Sequence, residues 1–287
     1  MREHFKIHNG GNISELKDNL VEREHIDHIK GLIYEKSSLL KEALESIDYK
    51  LLKRIFINRI KKYVKDFKGE NFKTGLLIGE IKGKEAPLGL YNIYTKNILI
   101  NTNKILDQSL NNKLFKLSVL RVACHEETHA LSHQKHVRIE ENNLFMERIK
   151  TGFRVDYFIA NKVEDGNDTL CSSNEMNCID FLNEAVTEKF AEEIFTEYIK
   201  YQFLDKKLLE IIKNQSYYDL NIEYLDYLIL QIAEKTNFSP HYVKEAFFCS
   251  MFKGDDFTDD SFTDAIDEIM GKNFSKKFFV RKRENSQ

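Results

Sequence analysis

The chain is poor in the residues that break or staple structure. It has 2 prolines, 12 glycines and 4 cysteines in 287 residues. So few prolines and glycines exclude collagen-like, linker-like and proline-rich disordered classes. The cysteines (Cys124, Cys171, Cys178 and Cys249) form no C-x-x-C pair, and a chain of this length does not need disulfides to hold its core. They read as free thiols, with Cys124 buried in a helix; a Cys171–Cys178 bridge across a loop is the alternative. Excess charge is also missing: 43 Lys+Arg stand against 46 Asp+Glu, which gives no global reason to expect nucleic acid. No apolar run approaches the roughly 20 residues that span a bilayer. The first residues, MREHFKIHNGGNISELKD, lack the apolar stretch of a signal peptide. The expectation is a soluble, cytoplasmic globular protein with no membrane or nucleic-acid partner.

What is present is long helical periodicity interrupted by short apolar runs. A loose start with Gly10 and Gly11 is followed by Ser14 as a helix N-cap. From Ser37 to about Phe67, apolar residues recur at three- and four-residue steps. The basic cluster Arg54–Lys65 then reads as the solvated face of that amphipathic helix. Thr74–Ile81, Leu88–Tyr94 and Asn97–Asn101 read as strands of a small sheet. A second helix is predicted from about Ser109 to His136. Gly152–Ala160 reads as a strand and Asn161–Asn177 as loop. Helices are predicted at Asp180–Phe203, Asn221–Lys235, Pro240–Phe252, with Ser239 as cap, and Ser261–Met270; the tail RKRENSQ reads as frayed. The fold class is α+β. Its organisation reads as a helical region over 1–70, a core over 71–204 with an insert at 137–179, and a helical region over 205–287.

Four of the nine histidines fall within twelve residues, beginning at His125-Glu126-Glu127-Thr128-His129. On a helix, positions four apart differ by about 40° around the axis. His125 and His129 therefore project from one face and can share a tetrahedral zinc ion. Glu126 lies about 100° from the first and about 60° from the second. From there its carboxylate can take a proton from a water activated by the metal. Glu127 falls on the far side, toward solvent or a partner helix. Leu117, Leu120, Cys124 and Leu131 mark the helix's core face. His133 and His136 continue the same helix in this reading, and one straight helix does not wrap a third ligand around a metal. The metzincin pattern is also broken, with Ser132 at its Gly position and Lys135 at its third His.

The third ligand is sought downstream, in Asp180–Glu193. Glu184 and Glu188 share one face of a second helix, while Leu182, Val186, Phe190 and Ile194 form an apolar face. HEETH followed by NEAVTE resembles the gluzincins, the thermolysin-like zinc metallopeptidases, whose motifs are H-E-x-x-H and N-E-x-x-S/T-D/E. The resemblance covers about Leu88 to Phe203. It implies a zincin-like core: a small mixed sheet packed on the motif helix and a ligand helix, with the strand Asn97–Asn101 as the edge along which substrate lies. It makes His125, His129 and Glu184 the zinc ligands, Glu126 the general base, and Glu188 and Asn183 supporting residues behind them. A shifted register, similar to lethal factor-like zincins, would instead make Glu188 the ligand with Glu192 following; Glu184 is preferred because Asn183 and Thr187 fit the pattern. The 55 positions from His129 to Glu184 exceed the compact thermolysin spacing and require an inserted segment, with the Gly152–Ala160 strand in it. A donor facing the metal would come from Tyr157, Tyr217, Tyr218, His241 or Tyr242; His241 and Tyr157 are named as candidates. The expected activity is zinc-dependent hydrolysis of a peptide or protein. The alternatives are a metal-binding, non-proteolytic regulatory module and a zinc hydrolase of non-peptide amides.

Overall fold

The computed structural model describes residues 8–9, 38–70, 72, 77–79, 87–92, 97–101, 104–105, 112–141, 144–161, 169–172, 177–201, 219–254, 260–272 and 274. The early helix capped by Ser14, Tyr217, Tyr218 and the C-terminal tail lie outside them, as do the side chains of Tyr157, Cys171 and Cys178. The architecture is α+β. Its elements in chain order are β1 (His8–Asn9), α1 (Ser38–Glu45), α2 (Tyr49–Ile60), β2 (Leu77–Gly79), β3 (Gly89–Asn92), β4 (Asn97–Asn101), α3 (Asn112–Leu131) and β5 (Gln134–Glu141). They continue with β6 (Leu144–Thr151), β7 (Arg154–Asn161), β8 (Thr169–Ser172), α4 (Asn177–Tyr201), α5 (Asp219–Thr236), α6 (Pro240–Lys253) and α7 (Asp260–Met270). No described helix is long and apolar enough to cross a membrane.

The single helix expected over 37–67 is broken. Ser46 turns its hydroxyl back onto the Ala43 carbonyl (2.6 Å), and Asp48 starts α2 by accepting the Leu51 N–H (3.0 Å). A side-chain oxygen at this position satisfies a first-turn N–H that has no partner within the helix. The Asp48 N–H in turn donates to the Tyr198 hydroxyl on α4 (2.8 Å), so a tertiary contact fixes where the break falls. The basic stretch is not wholly solvated either. Arg59 faces inward and bridges Glu193 of α4 and Glu245 of α6, both at 2.6 Å.

Two sheets are present among the described residues. The smaller has the order β2-β4-β3, parallel between β2 and β4 and antiparallel between β4 and β3. Asn97–Asn101 is therefore its central strand, and the edge strand beside α3 is β3, in place of the expected edge. The larger sheet, in the order β1-β5-β6-β7-β8, is antiparallel throughout and fills most of the expected insert. The motif helix does not reach His136: α3 ends at Leu131, His133 lies in the turn and His136 pairs with Ile149 inside β5. The β6–β7 turn is the residue pair Gly152–Phe153, with Gly152 at φ +58°; glycine takes that backbone shape without a Cβ clash.

The core explains where the motif helix sits. One apolar cluster gathers Phe56 of α2, Leu117, Leu120 and Cys124 of α3, Phe190 of α4, Phe248 of α6 and Phe262 of α7. Phe190 is its aromatic centre, with ring centroids 4.6 Å from Phe252 and 5.1 Å from Phe248. A second, smaller cluster packs Phe115, Val119 and Val122 of α3 against Ile98 and Ile100 of β4. The helix α3 is thus covered on two sides, and every residue from Val119 to Thr128 is buried. Its polar side chains must find partners inside the protein.

Past α3, the chain is held at Gly254, the C-cap of α6, where φ is +70°. A Cβ there would lie 1.9 Å from Cδ2 of His133. Gly254→Ala is expected to destabilise the protein by roughly 2 kcal/mol, from left-handed strain plus displacement of the His133 ring. Urea unfolding at neutral pH measures this, and a midpoint unchanged from wild type would refute the contact.

Candidate metal centre

The helices α3 and α4 pack side by side and bring their polar faces together. His125, His129 and Glu184 converge, each offering one ligand atom, and together they form a group that could hold a metal ion. Nε2 of His125 lies 3.1 Å from Nε2 of His129 and 3.1 Å from Oε2 of Glu184, and Nε2 of His129 lies 3.4 Å from Oε1 of Glu184. Metal–ligand bonds of about 2.0–2.1 Å in a tetrahedron require ligand atoms about 3.3 Å apart; the two ring nitrogens and the Glu184 carboxylate lie near that spacing, with a different carboxylate oxygen nearest each ring. The donor set, two imidazoles and a carboxylate, is also chemically suited to it. Side-chain exposure rises from 6% at His125 through 13% at His129 to 24% at Glu184. Of the three, Glu184 is the most exposed and His125 the most enclosed.

Glu188 stands outside this group. It sits one helical turn past Glu184, behind His125, and its Oε2 lies 2.7 Å from the ring's Nδ1. Its Oε1 accepts from Nε and Nη2 of Arg121, at 3.1 and 2.7 Å. Burial would raise the Glu188 pKa, but the hydrogen bond and charge of His125, with Arg121, outweigh it and hold the carboxyl below its usual range. The same pairing works on His125: burial lowers its pKa, and the two carboxylates raise it well above the ordinary imidazole value. Glu184 behaves likewise, its burial outweighed by the two histidines, so its pKa is well below normal.

Glu126 is buried, and its carboxylate accepts the backbone N–H of Tyr91 on β3. Burial, with help from Glu184, raises its pKa against the opposing pull of the two histidines. The approach of strand and helix is close: a Cβ at Gly89 would lie 2.6 Å from Val122 Cγ1 and 2.7 Å from Glu126 Oε1. The register explains why Tyr91 supplies the N–H. The Asn101 N–H donates to the Leu88 carbonyl at 2.7 Å, so Leu88 and Leu90 face β4, and the backbone groups of Gly89 and Tyr91 point away from it. Glu127 faces inward, buried close to Tyr49 of α2, whose phenol is pushed up to about 12 by burial and then by the Glu127 charge.

The remaining expected residues fall elsewhere. Asn183 is buried, and its Oδ1 accepts the Phe153 N–H of the β6–β7 turn at 3.0 Å; it braces the hairpin and not a histidine. His133 is a structural link, its N–H donating to the Met251 carbonyl and its carbonyl accepting from Gly152, both at 2.9 Å. His241 and Tyr242 lie exposed at the first turn of α6, about 15 Å along that helix from Met251, which touches the site. Arg121 was not anticipated from sequence, although it precedes His125 by one helical turn on the same face. Gly89 and Tyr91 carried no local signal, because their role comes from the strand's approach to α3. No family model, curated protein or solved structure matches the chain. The geometry of the centre therefore carries the functional conclusion by itself.

Two outcomes follow for the metal-free protein. Arg121→Met leaves the buried Glu188 carboxylate without its guanidinium and is expected to cost about 3 kcal/mol at pH 7. Glu188, with a lowered folded pKa, contributes stability above its unfolded value of 4.5 that is lost as pH falls through the folded value. His125, with a raised folded pKa, contributes stability below 6.5 that is lost as pH rises through the folded value. Chelator-treated wild type is therefore expected to be most stable between these limits in urea titrations run from pH 3 to 9. A flat profile, or an Arg121→Met protein as stable as wild type, would contradict the buried chain.

Proposed function

We propose that the protein is a zinc-dependent metallopeptidase of gluzincin type. The observation that carries this is the convergence of His125 and His129 with Glu184 from a second helix, with Glu126 next to the first histidine. Two imidazoles and one carboxylate is a ligand arrangement of catalytic zinc, which keeps one position open. Zinc, when bound, supplies a Lewis acid that polarises a carbonyl and lowers the pKa of a water. Glu126 takes the proton of the attacking water and returns it to the leaving amine. Glu188 and Arg121 hold His125 so that Nε2 remains the donor.

A second reading has one observation in its favour. The Glu126 carboxylate already accepts the Tyr91 N–H, as it would in a metal-binding module whose cleft is silent.

The tests are metal content and cleavage of an unstructured protein such as casein. Wild type is expected to carry nearly one zinc per chain, and His125→Ala to lose it. Glu126→Gln is expected to keep the zinc while turnover falls about 10²–10⁴-fold. Chelation should abolish cleavage and added zinc restore it. Absence of zinc in the purified protein would sink the proposal, and a zinc-loaded protein that leaves casein intact would favour the silent module.

A further inference from the structure

The two imidazoles are backed by unlike chemistry. A histidine that offers Nε2 to a cation carries its proton on Nδ1, and a buried N–H needs an acceptor. For His125 that acceptor is the Glu188 carboxylate at 2.7 Å. For His129 the group beside Nδ1 is the Thr187 hydroxyl, 3.5 Å away on α4. Thr187 is fully buried, and its Oγ1 also lies 3.9 Å from Sδ of Met251 on α6. Asn183, next to the ligand Glu184, is occupied by Phe153.

The Met251 sulfur decides the direction of this chain. A hydroxyl donates one hydrogen and accepts through two lone pairs, whereas a thioether has no hydrogen and only accepts. Where Thr187 gives its hydrogen to Met251, the Oγ1 lone pairs are left for His129 and favour a proton on Nδ1, against the pull of Glu184 Oε1, which lies 3.4 Å from Nε2. Met251 is itself held in place: it is fully buried, and its carbonyl accepts the His133 N–H at 2.9 Å.

We propose that Thr187 is the positioning residue of His129, accepting its Nδ1–H while donating to the Met251 sulfur and so keeping Nε2 free to bind a metal. The proposal rests on the metal reading above for its purpose, but its geometry holds in the metal-free chain. A neutral hydroxyl at 3.5 Å is a weaker brace than a carboxylate at 2.7 Å. His129 is therefore the less firmly held of the two imidazoles, and removal of its brace belongs at the low end of the 10–100-fold affinity losses usual for such partners.

The experiment uses the full chain with ¹⁵N-labelled histidine. Imidazole spectra are recorded without metal and with Zn²⁺, and zinc affinity is measured against a chelator. In wild type, His129 is expected to carry its proton on Nδ1 in both states. Thr187→Val, which keeps the shape and removes the hydroxyl, is expected to mix the two tautomers in the metal-free chain and to weaken zinc binding about tenfold. Thr187→Ser is expected to restore both. Should Thr187→Val not fold, Met251→Leu frees the hydroxyl hydrogen to turn toward Nδ1 and is expected to mix the tautomers by the other route. The proposal is overturned if His129 stays wholly in the Nδ1–H form, with zinc affinity within twofold, in the variants that fold. It is also overturned if Ser behaves as Val does. Wild type that binds no zinc but holds His129 in the Nδ1–H form supports the role of Thr187 and defeats the metal reading alone.

Discussion

Between α3 and α4 a guanidinium, a carboxylate and an imidazole stand in a row with almost no water around them: Arg121, Glu188 and His125. Charged groups in such a place are tolerated only when each is paired with good geometry, because desolvation otherwise exceeds the Coulombic gain. That requirement narrows the register of the two helices but does not fix it alone. Sliding α4 by one turn would set Glu188 before the two Nε2 atoms and Glu192 against Arg121, so the spacing of the carboxylates allows both registers. Core packing selects the observed one, with Phe190 seated between Phe248 and Phe252.

The same constraint extends through the rest of the molecule. Because α3 is packed against the main core on one side and the three-stranded sheet on the other, the polar residues from Arg121 to Thr128 are buried. The side chains of the centre are each met by a neighbour from a different element: Glu126 by the β3 backbone, His125 by α4, His129 by Thr187, which leans on α6. The large antiparallel sheet joins through its β6–β7 turn, clamped by Asn183 and by the His133 carbonyl. An insert of this kind is therefore tied directly to the helix that carries Glu184.

Much of the helical framework was legible in the sequence, since three- and four-residue apolar spacing reports one buried stripe per helix. Leu182, Val186, Phe190 and Ile194 of α4 are all buried, as that spacing predicts. The helix break at Asp48 and the end of α3 before His133 were not legible. The first depends on a hydrogen bond to Tyr198, 150 positions away, and the second on His133 reaching Met251. The strands β5, β6 and β8 were also missed: Lys135–Glu141 continues straight from a strong helical pattern with its short apolar alternation diluted by charge, and Thr169–Ser172 lies inside the polar stretch read as loop. The strand Asn97–Asn101 was recognised, but its place as central strand depends on which neighbours pair with it.

By itself the sequence determined which side chains can converge: residues four apart on a helix share a face, so His125 with His129, and Glu184 with Glu188, were each paired by helical geometry alone. Only the tertiary structure gave the two glutamates different surroundings, by setting Glu184 before both Nε2 atoms and Glu188 behind His125 against Arg121. It alone set Asn183 against the hairpin turn and put Thr187 beside His129. The physical reason is that periodicity along one helix fixes angles about its own axis. The rotation and translation of one helix against another are set by packing and by the pairing of buried charge.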